Sequence, residues 1–130
     1  MNIVKWIIQD RVILLCGVGD QTLDSIEDIT NQLTNLMNEG VSPVHIVIDN
    51  RHVGHVPRNI KLIGKFMKKH ENSGFTVAIG GNQLVKFISK MLAKIADSDM
   101  LIFKDSPEEA LSLLQKLDQS LPQEVELMEA

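Results

Sequence analysis

The chain has 130 residues, a single cysteine and a formal net charge of −4. That length supports one domain whose core stands without disulfides or metal, and it leaves no room for a second core. No apolar run approaches the roughly 20 residues of a membrane-spanning helix. The start, MNIVKWIIQDRVILL, is broken by Lys5, Asp10 and Arg11 and is followed by no small-residue cleavage site, so it does not read as a secretory signal.

In chain order, residues 3–8 and 11–16 are β-rich runs joined by the polar pair Gln9-Asp10, which predicts a hairpin. Cys16 ends the second run and reads as a buried structural thiol, which suits a reducing cytoplasm. Gly17-Val-Gly-Asp-Gln-Thr breaks the strand, and Asp20 or Thr22 can cap a helix. Leu23, Ile26, Ile29, Leu33, Leu36 and Met37 then recur at helical spacing. Gly40 and Pro43 stop that helix. Residues 44–48 form a short strand, apolar except for His45, as expected of a strand covered on both faces.

Residues 59–69 carry Ile60, Ile63, Phe66 and Met67 on one stripe with four lysines opposite. A strand is expected over 75–79, a glycine-rich break at Gly80-Gly81-Asn82, and a helix over 83–96 with Leu84, Phe87, Ile88, Met91 and Ile95 inward. Residues 100–103 read as the last strand. Ser106-Pro107-Glu108-Glu109 is a strong helix start, combining an N-cap serine, a first-turn proline and a glutamate three residues on. Ala110, Leu111, Leu113, Leu114 and Leu117 supply that helix's buried face. Strands alternating with helices in the order β-β-α-β-α-β-α-β-α predict an α/β fold with a mostly parallel five-stranded sheet. The hairpin partner should lie antiparallel at an edge. The expected organisation is one domain over 1–118 and an acidic tail over 119–130.

Charge is segregated along the chain. Positions 12 to 50 hold six acids and no lysine or arginine; positions 51 to 94 hold nine cations and only Glu71 as an acid. Lys86, Lys90 and Lys94 stand four residues apart on one helix, and Lys61, Lys65 and Lys68 repeat the pattern on the preceding one. Most such faces are simply solvated. As a functional surface, this one fits an acidic protein partner, including a second copy of the chain. Nucleic acid is not expected, because the total charge is negative and no aromatic side chains interleave with the lysines.

The stretch IDNRHVGHVPRN, 48–59, places two histidines and two arginines between an apolar strand and a helix. His52 and His55 with Asp49 are too few for a zinc site, so no metal or other cofactor is expected. Gly17-Val-Gly19 lacks the third glycine of a dinucleotide fingerprint and the Gly-Lys-Ser/Thr of a P-loop. The serines lack a Gly-x-Ser-x-Gly elbow, and no enzymatic constellation is legible.

The hairpin, the βα units that follow it, VHIVIDN at 44–50 with its loop and lysine-rich helix, HENSGFTVAIG at 70–80 and SPEEALSLL at 106–114 together resemble the STAS domain. This is the fold of anti-sigma-factor antagonists of the SpoIIAA type. The resemblance implies a strand-end aspartate, here Asp49, apolar loop anchors, here Val53 and Val56, and a phosphorylated serine at the next helix start. The matching segment is Pro57-Arg58-Asn59-Ile60, which carries no hydroxyl. A phosphate would bring nearly two negative charges to that helix start, and neither Arg58 nor Asn59 can accept one. The chain therefore reads as a non-enzymatic regulatory domain whose docking residues are Arg51, His52, His55, Arg58, Asn59, Lys61 and Lys65. The alternative is a small-molecule module for an anionic metabolite or lipid, using Asp49, Gly80, Gly81 and Asn82 at the carboxyl ends of the strands.

Overall fold

The computed structural model describes residues 2–59, 61–63, 70–95 and 101–122, with backbone alone at 92, 94 and 95. Strands β1 (Ile3–Ile8), β2 (Val12–Gly19), β3 (Val44–Val53), β4 (Ser73–Ile79) and β5 (Leu101–Lys104) form one sheet in the order β1-β2-β3-β4-β5. β1 pairs antiparallel with β2, and every later pair is parallel. The hairpin turns at Asp10, whose φ of 66° lies in the left-handed region that aspartate tolerates.

Helix α1 (Leu23–Glu39) starts at Thr22, whose hydroxyl accepts from the Ser25 amide while the Ser25 side chain accepts from the Thr22 amide. It stops at Gly40, whose N–H donates to the Met37 carbonyl. Helix α2 (Gln83–Ile95) connects β4 to β5, and helix α3 (Pro107–Leu117) follows β5 behind its Ser106 cap. Between β3 and β4, residues 61–63 are helical, and Phe66 and Met67 lie outside the described residues.

The core divides across the sheet. Trp6, Ile13, Val44 and Ile46 meet Met37 of α1 on one face. Ile7, Val12, Val47, Val77 and Ile79 meet Ala110, Leu111, Leu114 and Leu121 on the other. β3 feeds both clusters, which is why Ile46, Val47 and Ile48 are apolar at successive positions rather than alternating.

Three expectations need correction. The third strand does not end at residue 48 but runs to Val53, because Val18 and Gly19 of β2 continue to pair with His52 and Val53. On α2, Leu84 and Phe87 do not face the core. They are 40% and 56% exposed, while Val85 and Ile88 are buried. On α3, Leu117 is 43% exposed and does not join the buried face formed by Ala110, Leu111 and Leu114.

Candidate functional site

The carboxyl ends of β2, β3 and β4 gather most of the residues singled out in the sequence. Asp49 of β3 is only 4% exposed. Its carboxylate is gripped by Arg51 two residues on: Oδ1 accepts from Nε and from the Arg51 backbone N–H, both at 3.0 Å, and Oδ2 accepts from Nη2 at 2.8 Å. Burial pushes the Asp49 carboxyl up, but the Arg51 hydrogen bonds and charge outweigh it and hold the group below its ordinary value. Burial, aided by the Asp49 charge, pushes the neighbouring Cys16 thiol up, as suits an unreactive buried cysteine.

Arg51 reaches this position across Gly80. A Cβ on Gly80 would stand 2.6 Å from Arg51 Cγ and 3.3 Å from its Cα, and Gly80 has φ +66°. Only glycine combines that backbone with so close an approach. Next to it, the Asn82 side chain caps α2 by accepting from the Val85 amide at 2.9 Å. Asp49, Arg51, Gly80, Gly81 and Asn82 thus converge at one rim, with the carboxylate already neutralised by the guanidinium.

Beyond Val53 the connection is laced to the start of α1. The Gly54 amide donates to the Gly19 carbonyl at 2.8 Å, the Gln21 amide donates to the His55 carbonyl at 2.7 Å, and the His55 amide donates to Asp20 Oδ1 at 2.8 Å. Asp20 is therefore a loop clamp, and no longer an acid free to act on the surface. Val53 and Val56 are half-buried anchors. Asn59 caps the next helix, its Oδ1 accepting from the Leu62 amide at 3.2 Å, and buried Ile63 pins that helix inward. With the backbone held this way, Arg51, His52, His55, Arg58, Asn59 and Lys61 all present exposed side chains. Lys65 lies outside the described residues. Among the described residues, no group of three or more histidine, cysteine or acidic side chains could hold a metal ion.

A second polar cluster was not legible as a unit. At the opposite, amino end of the central strand β3, His45 is 1% exposed and uses both ring nitrogens. Nδ1 accepts from the Phe75 amide at 2.9 Å, which leaves the proton on Nε2, donated to Asp118 Oδ2 at 2.8 Å. Arg11 Nη2 donates to the same carboxylate oxygen at 2.7 Å, and Arg11 Nε donates to the Pro43 carbonyl. The ring stacks on Phe75 with centroids 5.7 Å apart. The absent side chain of Gly74 leaves the space for it, because a Cβ there would collide with His45 Nδ1. Neither nitrogen is left to activate a nucleophile, so this histidine–aspartate pair ties β2, β3 and β4 to the end of α3. The one signal in the sequence was a histidine inside an otherwise apolar strand.

No helix among the described residues is long and apolar enough to cross a membrane. No family model matches the chain, and no curated protein matches it. Among solved structures it is similar to the anti-sigma factor antagonist SpoIIAA in its unphosphorylated form. The TM-score is 0.61 at 8% identity, over 89% of this chain and 97% of that one. It is also similar to an uncharacterised protein of the DUF3478 family with a SpoIIAA-like fold, from Shewanella loihica PV-4. Here the TM-score is 0.56 at 14% identity, over 88% and 92% of the two chains. The chain is an α/β domain with a mixed, mostly parallel sheet. More particularly, it has a SpoIIAA-like fold.

Proposed function

We propose that the chain is a non-enzymatic regulatory domain of the cytoplasm that docks a protein partner through residues 51–59 and the helix that follows. One observation carries this reading. A row of exposed cationic and polar side chains, Arg51, His52, His55, Arg58, Asn59 and Lys61, stands on a backbone fixed by hydrogen bonds and two half-buried valines. Surfaces held in place before binding lose less conformational entropy on association. Pro57, Arg58, Asn59 and Ile60 offer no hydroxyl, so a serine kinase does not switch this helix entrance.

His55→Ala/Arg58→Glu/Lys61→Glu tests the reading. These exposed positions should change folding stability by about 0.5 kcal/mol or less. Affinity capture of the partner should fall steeply, and wild-type capture should weaken as salt rises. Equal recovery by wild type and variant, at low and high salt, would end the proposal.

A second reading is favoured by a cavity of about 270 Å³ between the sheet and its helices. Leu15, Ile46, Ile48, Ala78, Val85 and Ile88 line it, and the lining reaches Gln21, Asn50 and Val53 at the carboxyl ends of the strands. Such a space suits a small, largely apolar ligand with a polar end. Decanoate is expected to raise Tm in a concentration-dependent way where acetate does not. The reading is dropped if the two carboxylates act alike.

A further inference from the structure

The cavity lies on one face of the sheet, and the alternation of β3 decides which side chains reach it. Ile46, Ile48 and Asn50 line it, while His45, Val47 and Asp49 belong to the other face. The charged pair Asp49–Arg51 is therefore not part of the cavity. Among the described residues that line it there is no aspartate, glutamate, lysine or arginine. His70 is there, but its ring is engaged: Nδ1 accepts from the Asn72 amide at 3.0 Å, and Nε2 donates to Asn38 Oδ1 at 2.7 Å. No described side chain in the wall is left to pair with a charge.

The polar groups of the wall divide into spent and free. Thr30 and Ser89 donate to the Ile26 and Val85 carbonyls one turn back, each at 2.8 Å. The Gln21 amide is closed on Asn2 by two reciprocal bonds of 2.9 Å. Thr76 differs. It sits mid-sheet, paired with Ile46 of β3 on one side and Leu101 of β5 on the other. A strand position covered this way ordinarily holds valine or isoleucine. The Thr76 hydroxyl makes no hydrogen bond among the described residues. No sealed side-chain polar atom among them lacks a partner, so this hydroxyl opens into the cavity that Thr76 lines. It can donate one hydrogen bond and accept others. Ile48 and Ala78 continue the floor from there toward the carboxyl ends of the strands.

We propose that the cavity takes an uncharged amphiphile, of the class of a medium-chain alcohol, whose hydroxyl head bonds Thr76 while its tail lies along Ile48 and Ala78. A carboxylate or ammonium head entering here gives up its hydration and finds no opposite charge. The inference rests on the ligand reading of this cavity and names the ligand class. Decanoate then binds through its tail, and more weakly than its neutral counterpart.

The test titrates the full chain with 1-decanol, decanoate, decylamine and n-octane, following ¹⁵N amide shifts at 46–50 and 76–78. At neutral pH, 1-decanol is expected to bind about tenfold or more tighter than either ion. From about pH 7 to about pH 5 the protonated fraction of decanoate grows roughly a hundredfold. Its binding should tighten over that range, while that of 1-decanol stays level. Thr76→Val keeps the side-chain shape and should weaken 1-decanol about three- to tenfold. The same change should leave n-octane, which has no head group, unaffected. Thr76→Ser restores the hydroxyl and should recover most of the affinity for 1-decanol. Equal binding of 1-decanol and decanoate at neutral pH overturns the proposal, as does a Thr76→Val variant that binds 1-decanol like wild type. Both results leave the cavity reading standing. If none of the four compounds moves these amides, the cavity reading fails and the proposal with it.

Discussion

Replacing Asp118 by alanine is expected to cost about 2–4 kcal/mol of folding stability, since it strands the Nε2–H of a fully buried histidine and a neighbouring guanidinium. The same carboxylate gives the domain an acid-sensitive limb. The Ser120 hydroxyl lowers its pKa most, burial opposes this, and His45 and Arg11 lower it further, so that it falls from the usual 3.8 to about 2. A carboxyl depressed on folding binds protons more readily in the unfolded chain. Its stabilisation is therefore complete above the ordinary value and is lost between about pH 4 and pH 2. Asp118→Asn keeps the shape and one acceptor while removing the charge, so it should cost less than alanine and flatten part of this limb. Asp49, also depressed, contributes to the same limb. Urea denaturation of wild type and both variants from pH 2 to pH 7 checks the ordering. An Asp118→Ala midpoint equal to wild type would show that the cluster holds nothing together.

Gly80→Val is expected to lose about 2–4 kcal/mol, combining a left-handed backbone that β-branched residues resist with a side chain driven into Arg51. The consequence reaches the rim. Arg51 must leave Asp49, and a buried carboxylate loses its bidentate partner. Gly80→Ala carries the same backbone strain with less bulk and should fall between. Amide shifts at 49–53 should follow the stability loss in both variants, because the dislodged guanidinium sits on that strand. Stabilities matching wild type would rule out the close approach between Gly80 and Arg51.

Much of the fold is legible because it is written in local chemistry. The Thr22 and Ser106 caps, the Gly40 stop and the doubly covered apolar stretch of β3 each act within a few residues. What escapes the sequence depends on partners distant along the chain. β3 reads as ending near Asp49 because the residues after it are polar. It continues because β2 supplies pairing out to Gly19, a fact held in another segment. Leu84 and Phe87 fit a helical period as well as Val85 and Ile88 do. Which stripe turns inward is set by how α2 sits against the sheet. His45, Asp118 and Arg11 come from three separate stretches, and nothing local to any of them announces the cluster. The exposure of 51–59 lies between these cases: the polar composition suggests it, and the clamp by Asp20 and Gln21 explains how a polar stretch stays ordered enough to be recognised.

The SpoIIAA-like scaffold gives this rim a setting without dictating its use, since one fold hosts many functions. Here the rim has a neutralised aspartate, a capped helix entrance and cationic side chains, and no serine, threonine or tyrosine stands between positions 49 and 63.

The most direct measurement places a photo-crosslinking amino acid at position 58, and as a control at exposed position 32 on α1, in the full chain inside its host cell. A discrete protein adduct from position 58 and none from position 32 is the predicted result. No adduct from 58, or the same adducts from both positions, would contradict docking at this rim.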